Sequence, residues 1–227
     1  MSLKSDCIAA WNLDGNSNDS AGSRNAAAVG VTYSAVTGSN IQAAYMDGTA
    51  TIKATSFALG SNDFTFTIRC QRSTIGTNQY ILGAINASGQ NVSGSILIRF
   101  DLGNTVSAFA FQGSSAVGIT SSSTFSSTSS WYNIVYKRTG SALELLVNNI
   151  SEGTASITGS INTSIYSFGI GCAGEYNSQK FNGYIDYVNY FNVSINNFNL
   201  YTLYKSGNGL QYPFYSGGFI TWFNSQF

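Results

Sequence analysis

The chain has 227 residues, and its ten basic and ten acidic side chains give a formal net charge of zero at pH 7. A nucleic-acid-binding face needs an excess of positive charge, so nucleic acid is not an expected partner. Histidine is absent, which removes the commonest general base and the commonest transition-metal ligand.

The first predicted strand runs into a polar stretch, "WNLDGNSNDSAGSRN", residues 11–25. Trp11 is expected in the core, at the apolar end of this stretch. The polar end has the early spacing of an EF-hand loop, with oxygen-bearing side chains two residues apart. However, Asp19 stands where that loop needs glycine, and Asn25 stands where it needs a bidentate glutamate. The EF-hand interpretation therefore fails.

The middle of the chain alternates apolar and polar residues with a period of two, which predicts β-strands. In "FTFTIRC", residues 64–70, the phenylalanines, Ile68 and Cys70 share one face, and the threonines and Arg69 share the other. Further strands are predicted at 95–100, 107–112, 166–171 and 181–191, with a hairpin over 131–147 that turns at 139–141. The predicted fold class is all-β.

One helix is predicted near the end of the chain, in "SINNFNLYTLYKSGNG", residues 194–209. Ile195, Phe198, Tyr201 and Tyr204 recur there at helical spacing. Ser194 is expected to cap the helix, and Gly207 to take the left-handed position after it. Residues 1–205 are predicted to form the main domain. Residues 206–227 are predicted to be an aromatic C-terminal extension that packs on this domain or on a partner.

Three cysteines, Cys7, Cys70 and Cys172, lie far apart in apolar contexts. Buried free thiols are expected, although the sequence leaves open a disulfide between two of them. No stretch approaches the roughly 20 apolar residues that span a bilayer. The first residues also lack the apolar segment of a secretory signal.

Five segments, in order, carry a resemblance to a known family. They are "AAWNLDGNSNDSAGSRN" (9–25), "AAYMDGTATI" (43–52), "FTFTIRCQRS" (64–73), "SWYNIVYKRTGSALELLVNN" (130–149) and "FNGYIDYVNYFNVSINNFNLYTLYKSGNGLQYP" (181–213). This succession resembles the laminin G-like domains of the concanavalin A-like lectin/glucanase superfamily, in their bacterial and phage form. The resemblance implies a two-sheet antiparallel jelly-roll sandwich closed by one short C-terminal helix. It also implies that Trp131 packs in the core.

The resemblance implies a structural calcium site between the first loop and a late strand. Carried over by position, its ligands are Asp19, the Gly22 carbonyl, Asn25 and Asp186. These residues lie far apart in the chain, so the ion would join the first strand to the last. The alternative is an Asx-rich turn without an ion, whose polar side chains close local hydrogen bonds.

Catalysis is not expected, although glucanases share this fold. Glycosidases need two carboxylates at a defined separation, and the three glutamates, Glu144, Glu152 and Glu175, form no such motif. No catalytic residue is predicted. Fold alone does not establish activity.

A non-catalytic carbohydrate-binding or adhesion module is the predicted function. Sugars present CH faces and hydroxyl edges, which aromatic rings and loop amides bind, and Tyr176 with Asn177 is the predicted contact pair. The expected partner is a glycan or cell-surface polysaccharide, and the expected location is extracellular or on a virion surface. The alternative is a structural virion component, a capsid decoration, tail or fibre protein, that self-associates or binds other virion proteins through the aromatic C-terminus.

Overall fold

The computed structural model describes residues 2–88, 94–162 and 166–214. In chain order its elements are α1 (Leu3–Asp6), β1 (Cys7–Trp11), β2 (Ala27–Val29), β3 (Thr32–Ser34), β4 (Ala43–Asp47), β5 (Thr51–Ala54), β6 (Phe64–Arg72), β7 (Gln79–Gly83), β8 (Ile96–Phe100), β9 (Val106–Gln112), β10 (Ser115–Thr120), β11 (Trp131–Thr139), β12 (Ala142–Val147), β13 (Ile150–Ser156), β14 (Phe168–Ile170), β15 (Asn182–Phe191) and α2 (Asn197–Tyr204), followed by a 3₁₀ turn (Lys205–Gly207).

Within this part of the chain the strands form two antiparallel sheets. The first sheet has eight strands in the order β13-β12-β11-β6-β15-β4-β3, with β1 also paired to β15. The second sheet has seven strands in the order β10-β9-β8-β7-β14-β5-β2. The predicted all-β, two-sheet antiparallel jelly-roll sandwich with a short C-terminal helix is confirmed. The four-residue helix α1 was not predicted.

The core lies between the sheets, and the alternation in β6 places it correctly. Phe64, Phe66, Ile68 and Cys70 belong to the core cluster. Trp11 is fully buried there, stacks on Phe168 at 5.9 Å between ring centroids and donates its indole N–H to the Arg24 carbonyl at 2.9 Å. Its predicted core position is confirmed.

Trp131 does not lie in the core, so that prediction was wrong. In β11 the side chains of Tyr132, Ile134 and Tyr136 face the core, and Trp131 is out of phase with them. Its half-exposed ring lies under the Arg69 guanidinium at 4.4 Å, and its indole N–H donates to the Thr37 carbonyl at 3.0 Å. Alternation along a strand shows which residues share a face, but it does not show which of the two faces is buried. Trp131, the first residue of β11, lies on the outer face.

The C-terminal helix forms where predicted, but its cap and buried face differ. Asn196, rather than Ser194, caps it by accepting a hydrogen bond from the Asn199 N–H at 2.9 Å. Leu200 and Leu203 are the buried helical residues, whereas Phe198 and Tyr201 are exposed. The aromatic spacing thus marked the solvent side of the helix.

The described end of the chain packs on the outer face of the first sheet. Leu210 is buried in a second apolar cluster with Ile195 and Phe191, and the Phe214 ring stacks on Phe191 at 5.7 Å. The domain boundary at residue 205 stays a prediction. Residues 215–227 of the predicted extension lie outside the described residues.

All three cysteines are buried and free, so the expectation of buried free thiols, rather than a disulfide between two of them, is confirmed. Burial raises the pKa of the Cys7 and Cys70 thiols to about 12, and that of the Cys172 thiol to about 11. They are therefore protonated at neutral pH and do not act as thiolate nucleophiles.

Candidate functional site

On the outer face of the second sheet, one row of residues runs across six neighbouring strands. From the registers of neighbouring strands, the row is Lys53, Gly169, Gly83, Leu97, Phe109 and Gly118. Two glycines in the middle leave the backbone bare. Large side chains stand on either side of this bare strip.

The loop after β14 packs directly onto the bare strip. A Cβ on Gly169 would lie 2.6 Å from the Gly174 nitrogen and 2.7 Å from the Cys172 carbonyl oxygen, so only glycine fits there. The next two residues of this loop, Glu175 and Tyr176, are held on the outer face. Each lies beside a different depression, one on each side of the loop.

The first depression, named here the Arg99 pocket, has a volume of about 150 Å³ and is lined by Leu97, Arg99, Phe109 and Phe111. The Arg99 guanidinium lies 5.3 Å from the centre of the Phe109 ring, and its Nε donates to Asp101 at 2.7 Å. Both charged side chains are partly exposed. The pocket therefore presents an apolar floor beside an oriented, charge-paired guanidinium.

Hydroxyl groups extend the polar edge of the Arg99 pocket. The other oxygen of Asp101 accepts from the Ser107 hydroxyl at 2.5 Å and from the Thr105 hydroxyl at 3.3 Å. The Ser107 hydroxyl also lies 2.7 Å from that of Thr120. Asp101 therefore orients both the guanidinium and the neighbouring hydroxyls.

Tyr176, a predicted sugar-contact residue, lies at the border of this pocket. Its half-buried ring meets the Tyr80 ring edge-on at 5.7 Å and packs on the apolar cluster that contains Leu97 and Phe111. Burial raises the pKa of the Tyr80 hydroxyl, and the Arg99 charge partly offsets that rise. Asn177 follows Tyr176 in the same loop and is exposed. Their role in binding stays a prediction.

The second depression, named here the Lys53 groove, has a volume of about 540 Å³ and polar walls that include Asn25, Ser56 and Ser167. Lys53 forms an ion pair with Glu175 at 2.9 Å. Hydrogen bonds from Ser167 and Lys53 hold the pKa of Glu175 below its ordinary value. The ammonium group that lines the groove is thus paired with the carboxylate of the covering loop.

Arg99, Asp101 and Phe109 were not predicted from the sequence. The available signal was the alternation of "SAFAFQ", residues 107–112, in which the small Ala108 and Ala110 face the core. That phase puts Phe109 and Phe111 on the outer face, where aromatic rings in a strand are unexpected. Two aromatics on the outer side of a strand with alanines inside indicate a covered or ligand-binding surface.

The predicted calcium ligands Asp19, Gly22 and Asn25 form a turn closed by protein donors. One oxygen of Asp19 accepts from the backbone N–H groups of Ala10, Ala21 and Gly22 at 2.9–3.0 Å, and the other accepts from that of Arg24 at 2.9 Å. The Asn25 side-chain oxygen accepts from the Asp19 N–H at 2.9 Å. This is the geometry of the Asx-rich turn.

Asp186, the fourth predicted calcium ligand, has a separate set of partners. Its carboxylate is paired with the Arg69 guanidinium at 2.6 Å and with the Asn40 side chain at 2.7 Å. Calcium needs six to eight oxygen ligands around it. N–H donors surround both carboxylates instead, and the described residues contain no group of three or more acidic, Cys or His side chains able to hold a metal. The donor set does not fit the shared ion.

The glutamates considered for catalysis have structural partners on separate elements. Glu144 in β12 pairs with Lys137 at 3.1 Å, and Glu152 in β13 accepts from the Ser123 N–H at 2.9 Å. Glu175 lies across the sandwich, in the loop that covers the second sheet. Each of these carboxylates stabilises a local contact.

The order of the strands in the two antiparallel sheets, and the core between them, define a jelly-roll sandwich. A family model described as "Concanavalin A-like lectin/glucanases superfamily", of the laminin G type, matches residues 46–197. The chain belongs to the laminin G-like domains of this superfamily. No curated protein matches it.

Several solved structures share the fold at low sequence identity. Domain 4 of AbnA, an extracellular arabinanase from Geobacillus stearothermophilus in complex with arabinotriose, has a TM-score of 0.70 and 13% identity over 89% of this chain and 98% of that chain. The binding domain of Paraclostridial Mosquitocidal Protein 1 has a TM-score of 0.70 and 16% identity over 90% of this chain and 53% of that chain.

A botulinum neurotoxin type C structure, described by an interaction with two ganglioside molecules, has a TM-score of 0.62 and 13% identity over 90% of this chain and 52% of that chain. The chain therefore spans about half the length of the two toxin chains. In the described part of the chain no helix has the length and apolar character needed to cross a membrane.

Proposed function

We propose that this chain is a non-catalytic, lectin-like module that binds a glycan on the outer face of the second sheet, at the Arg99 pocket. The observation that carries the proposal is the Arg99 guanidinium, which Asp101 holds over the Phe109 ring at the edge of the pocket. A ring face suits the CH side of a sugar, and the guanidinium, carboxylate and hydroxyls suit its hydroxyl edge.

The charges of this face favour an uncharged or weakly charged glycan. Arg99 is paired with Asp101, and Lys53 is paired with Glu175, so neither depression carries a free net charge from these side chains. Nearby carboxylate and guanidinium groups remain available as hydrogen-bond acceptors and donors. One neighbour with the same fold is described in complex with arabinotriose, and another is described by an interaction with two ganglioside molecules, which supports a sugar ligand.

The absence of catalysis forms part of the same proposal. A glycosidase needs two carboxylates that flank one bond at about 5 to 9.5 Å from each other. Asp101 is bound to Arg99 at the Arg99 pocket, and Glu175, in the covering loop, is paired with Lys53. The chain is therefore proposed to bind sugar without hydrolysing it.

Replacing Phe109 or Tyr176 by alanine should weaken glycan binding about tenfold or more, because each change removes a ring beside the Arg99 pocket. A glycan array identifies the ligand, and titration calorimetry with that ligand measures the affinity of each variant. Tyr184→Ala is the matched control: its half-buried ring contacts Tyr45 at 4.9 Å on the first sheet, away from the pocket.

No binding to any glycan at millimolar concentration would refute the proposed function. An equal loss of affinity in Tyr184→Ala would instead show that ring removal acts through stability. A loss in Tyr176→Ala without one in Phe109→Ala would move the site from the Arg99 pocket towards the exposed loop.

A structural role in a virion or other assembly is the second candidate function. It is favoured by the exposed aromatic side of α2, where Phe198 is 79% and Tyr201 is 60% exposed. If this surface drives self-association, light scattering should show a mass that rises with concentration, and Phe198→Ser with Tyr201→Ser should restore the monomer. A monomer at every concentration would exclude self-assembly through α2.

A further inference from the structure

The last long strand, β15, has a junction on one edge. Residues 182–185 pair with β4, and residues 188–191 pair with β1 on the same edge. Asp186 lies between the two pairings, at a point where the register to β6 also shifts. Three strands and their loops therefore meet around one fully buried carboxylate.

Asp186 accepts hydrogen bonds from donors in three parts of the chain. The Asn40 side chain donates at 2.7 Å and its backbone N–H at 3.2 Å, from the loop before β4. Arg69 donates at 2.6 Å from β6. Gln211, in the C-terminal segment, donates to the Asp186 backbone carbonyl at 3.2 Å and to the Asn12 carbonyl at 2.9 Å.

Arg69 supplies the positive charge of this junction, and its side chain is 2% exposed. Its Nε donates to the Gly207 carbonyl at 3.1 Å, so the same guanidinium joins β15 to the C-terminal segment. The Trp131 ring covers it at 4.4 Å. A Cβ on Gly209 would lie 2.7 Å from the Arg69 Cδ and 2.6 Å from the Tyr187 ring, so the segment packs closely against the pair.

We infer that the Arg69 guanidinium is the resident cation of this junction and does the work that the family resemblance assigns to calcium. It neutralises Asp186 and joins the last strand to the chain end, while Asp19 fixes the first strand through backbone N–H groups alone. A buried carboxylate requires a compensating cation. A divalent ion against Asp186 would have to displace the guanidinium or share its site, where the two positive charges would repel each other.

Thermal melts of the whole protein in millimolar calcium and in excess EGTA test the inference without any substitution. The two melting temperatures should agree, because no ion contributes binding energy to the folded state. A melting temperature raised by calcium and lowered by EGTA would overturn the inference. The result does not depend on glycan binding, so it stands apart from the proposed function.

Substitutions at the pair give the second test. Arg69→Met and Asp186→Leu should each lower the melting temperature by about 10 °C, because each leaves a buried charge without its partner. The melting temperature of the double variant should fall by less than the sum of the two single falls, since neither charge is then left unpaired. Lys137→Met is the control: its pair with Glu144 lies in the same sheet and is more exposed, at 9% and 25%.

If Arg69→Met lowers the melting temperature no more than Lys137→Met does, the inference is overturned. Strictly additive losses in the double variant would also overturn it. If Arg69→Met does not fold, Arg69→Lys replaces it in the same comparison. Lysine keeps the positive charge but lacks the planar guanidinium that binds Asp186 and the Gly207 carbonyl at the same time. A measurable fall in melting temperature is therefore still expected.

Discussion

Replacing Trp11 by alanine should destabilise the fold by about 3–5 kcal/mol, the range for removing a large buried aromatic side chain. Trp11 is fully buried and contacts the rings of Phe57 and Phe168, at 6.2 and 5.9 Å. Alanine would leave a cavity there and would also leave the Arg24 carbonyl without its indole donor. The melting temperature should fall by about 10 °C or more.

Trp131→Ala is the matched control for this substitution. Both tryptophans donate an indole N–H to a backbone carbonyl, but the Trp131 ring is half exposed on the outer face. Removing the Trp131 ring should lower the free energy of unfolding clearly less than removing the Trp11 ring. Chemical unfolding of both variants in parallel measures the difference. Equal losses would mean that Trp131 carries more of the stability than its burial indicates.

Replacing Asp19 by alanine should cost about 3 kcal/mol or more, because four backbone N–H groups lose their acceptor at once. Asp19 is 8% exposed, so water has little access to replace the carboxylate. One of the four donors, the Ala10 N–H, lies in β1, and the substitution should therefore loosen the pairing of β1 with β15. Hydrogen exchange should locate the loss in β1.

Asp47→Ala is the control for Asp19→Ala. The Asp47 carboxylate also accepts from several local donors, the Thr49 N–H and hydroxyl and the Ala50 N–H, but it is exposed. Water can replace it there, so only a small change in melting temperature is expected. Both measurements should be the same with and without EGTA. A loss in Asp19→Ala that appears only when calcium is present would point to a bound ion.

The fold was largely predictable, because the apolar and polar residues of β6 alternate without a break and the apolar set, Phe64, Phe66, Ile68 and Cys70, faces the core. The phase of a pattern was harder to predict than its period. Trp131 opens its strand on the outer side, and Phe198 and Tyr201 take the solvent side of α2 while two leucines pack inward. The large size of these side chains suggested that they would be buried. The neighbouring elements instead pack against other residues of the same strand and helix.

The candidate site was predictable only in part. Tyr176 was found because a tyrosine beside an asparagine in a loop is a local feature. Arg99, Asp101 and Phe109 come together through the pairing of β8 with β9 and the turn between them, which depends on register. The donors around Asp186 come from residues as far away as 146 positions in sequence, and no spacing rule reveals such a set.

Both described ends of the chain lie on the same side of the sandwich. Leu3 and Phe214 pack on one apolar cluster on the outer face of the first sheet, opposite the Arg99 pocket. A surface, label or fused protein coupled near residue 2 would therefore face away from the proposed glycan site. Copies immobilised in this way would all present the same face, so the avidity of an array of modules can be measured without blocking the pocket.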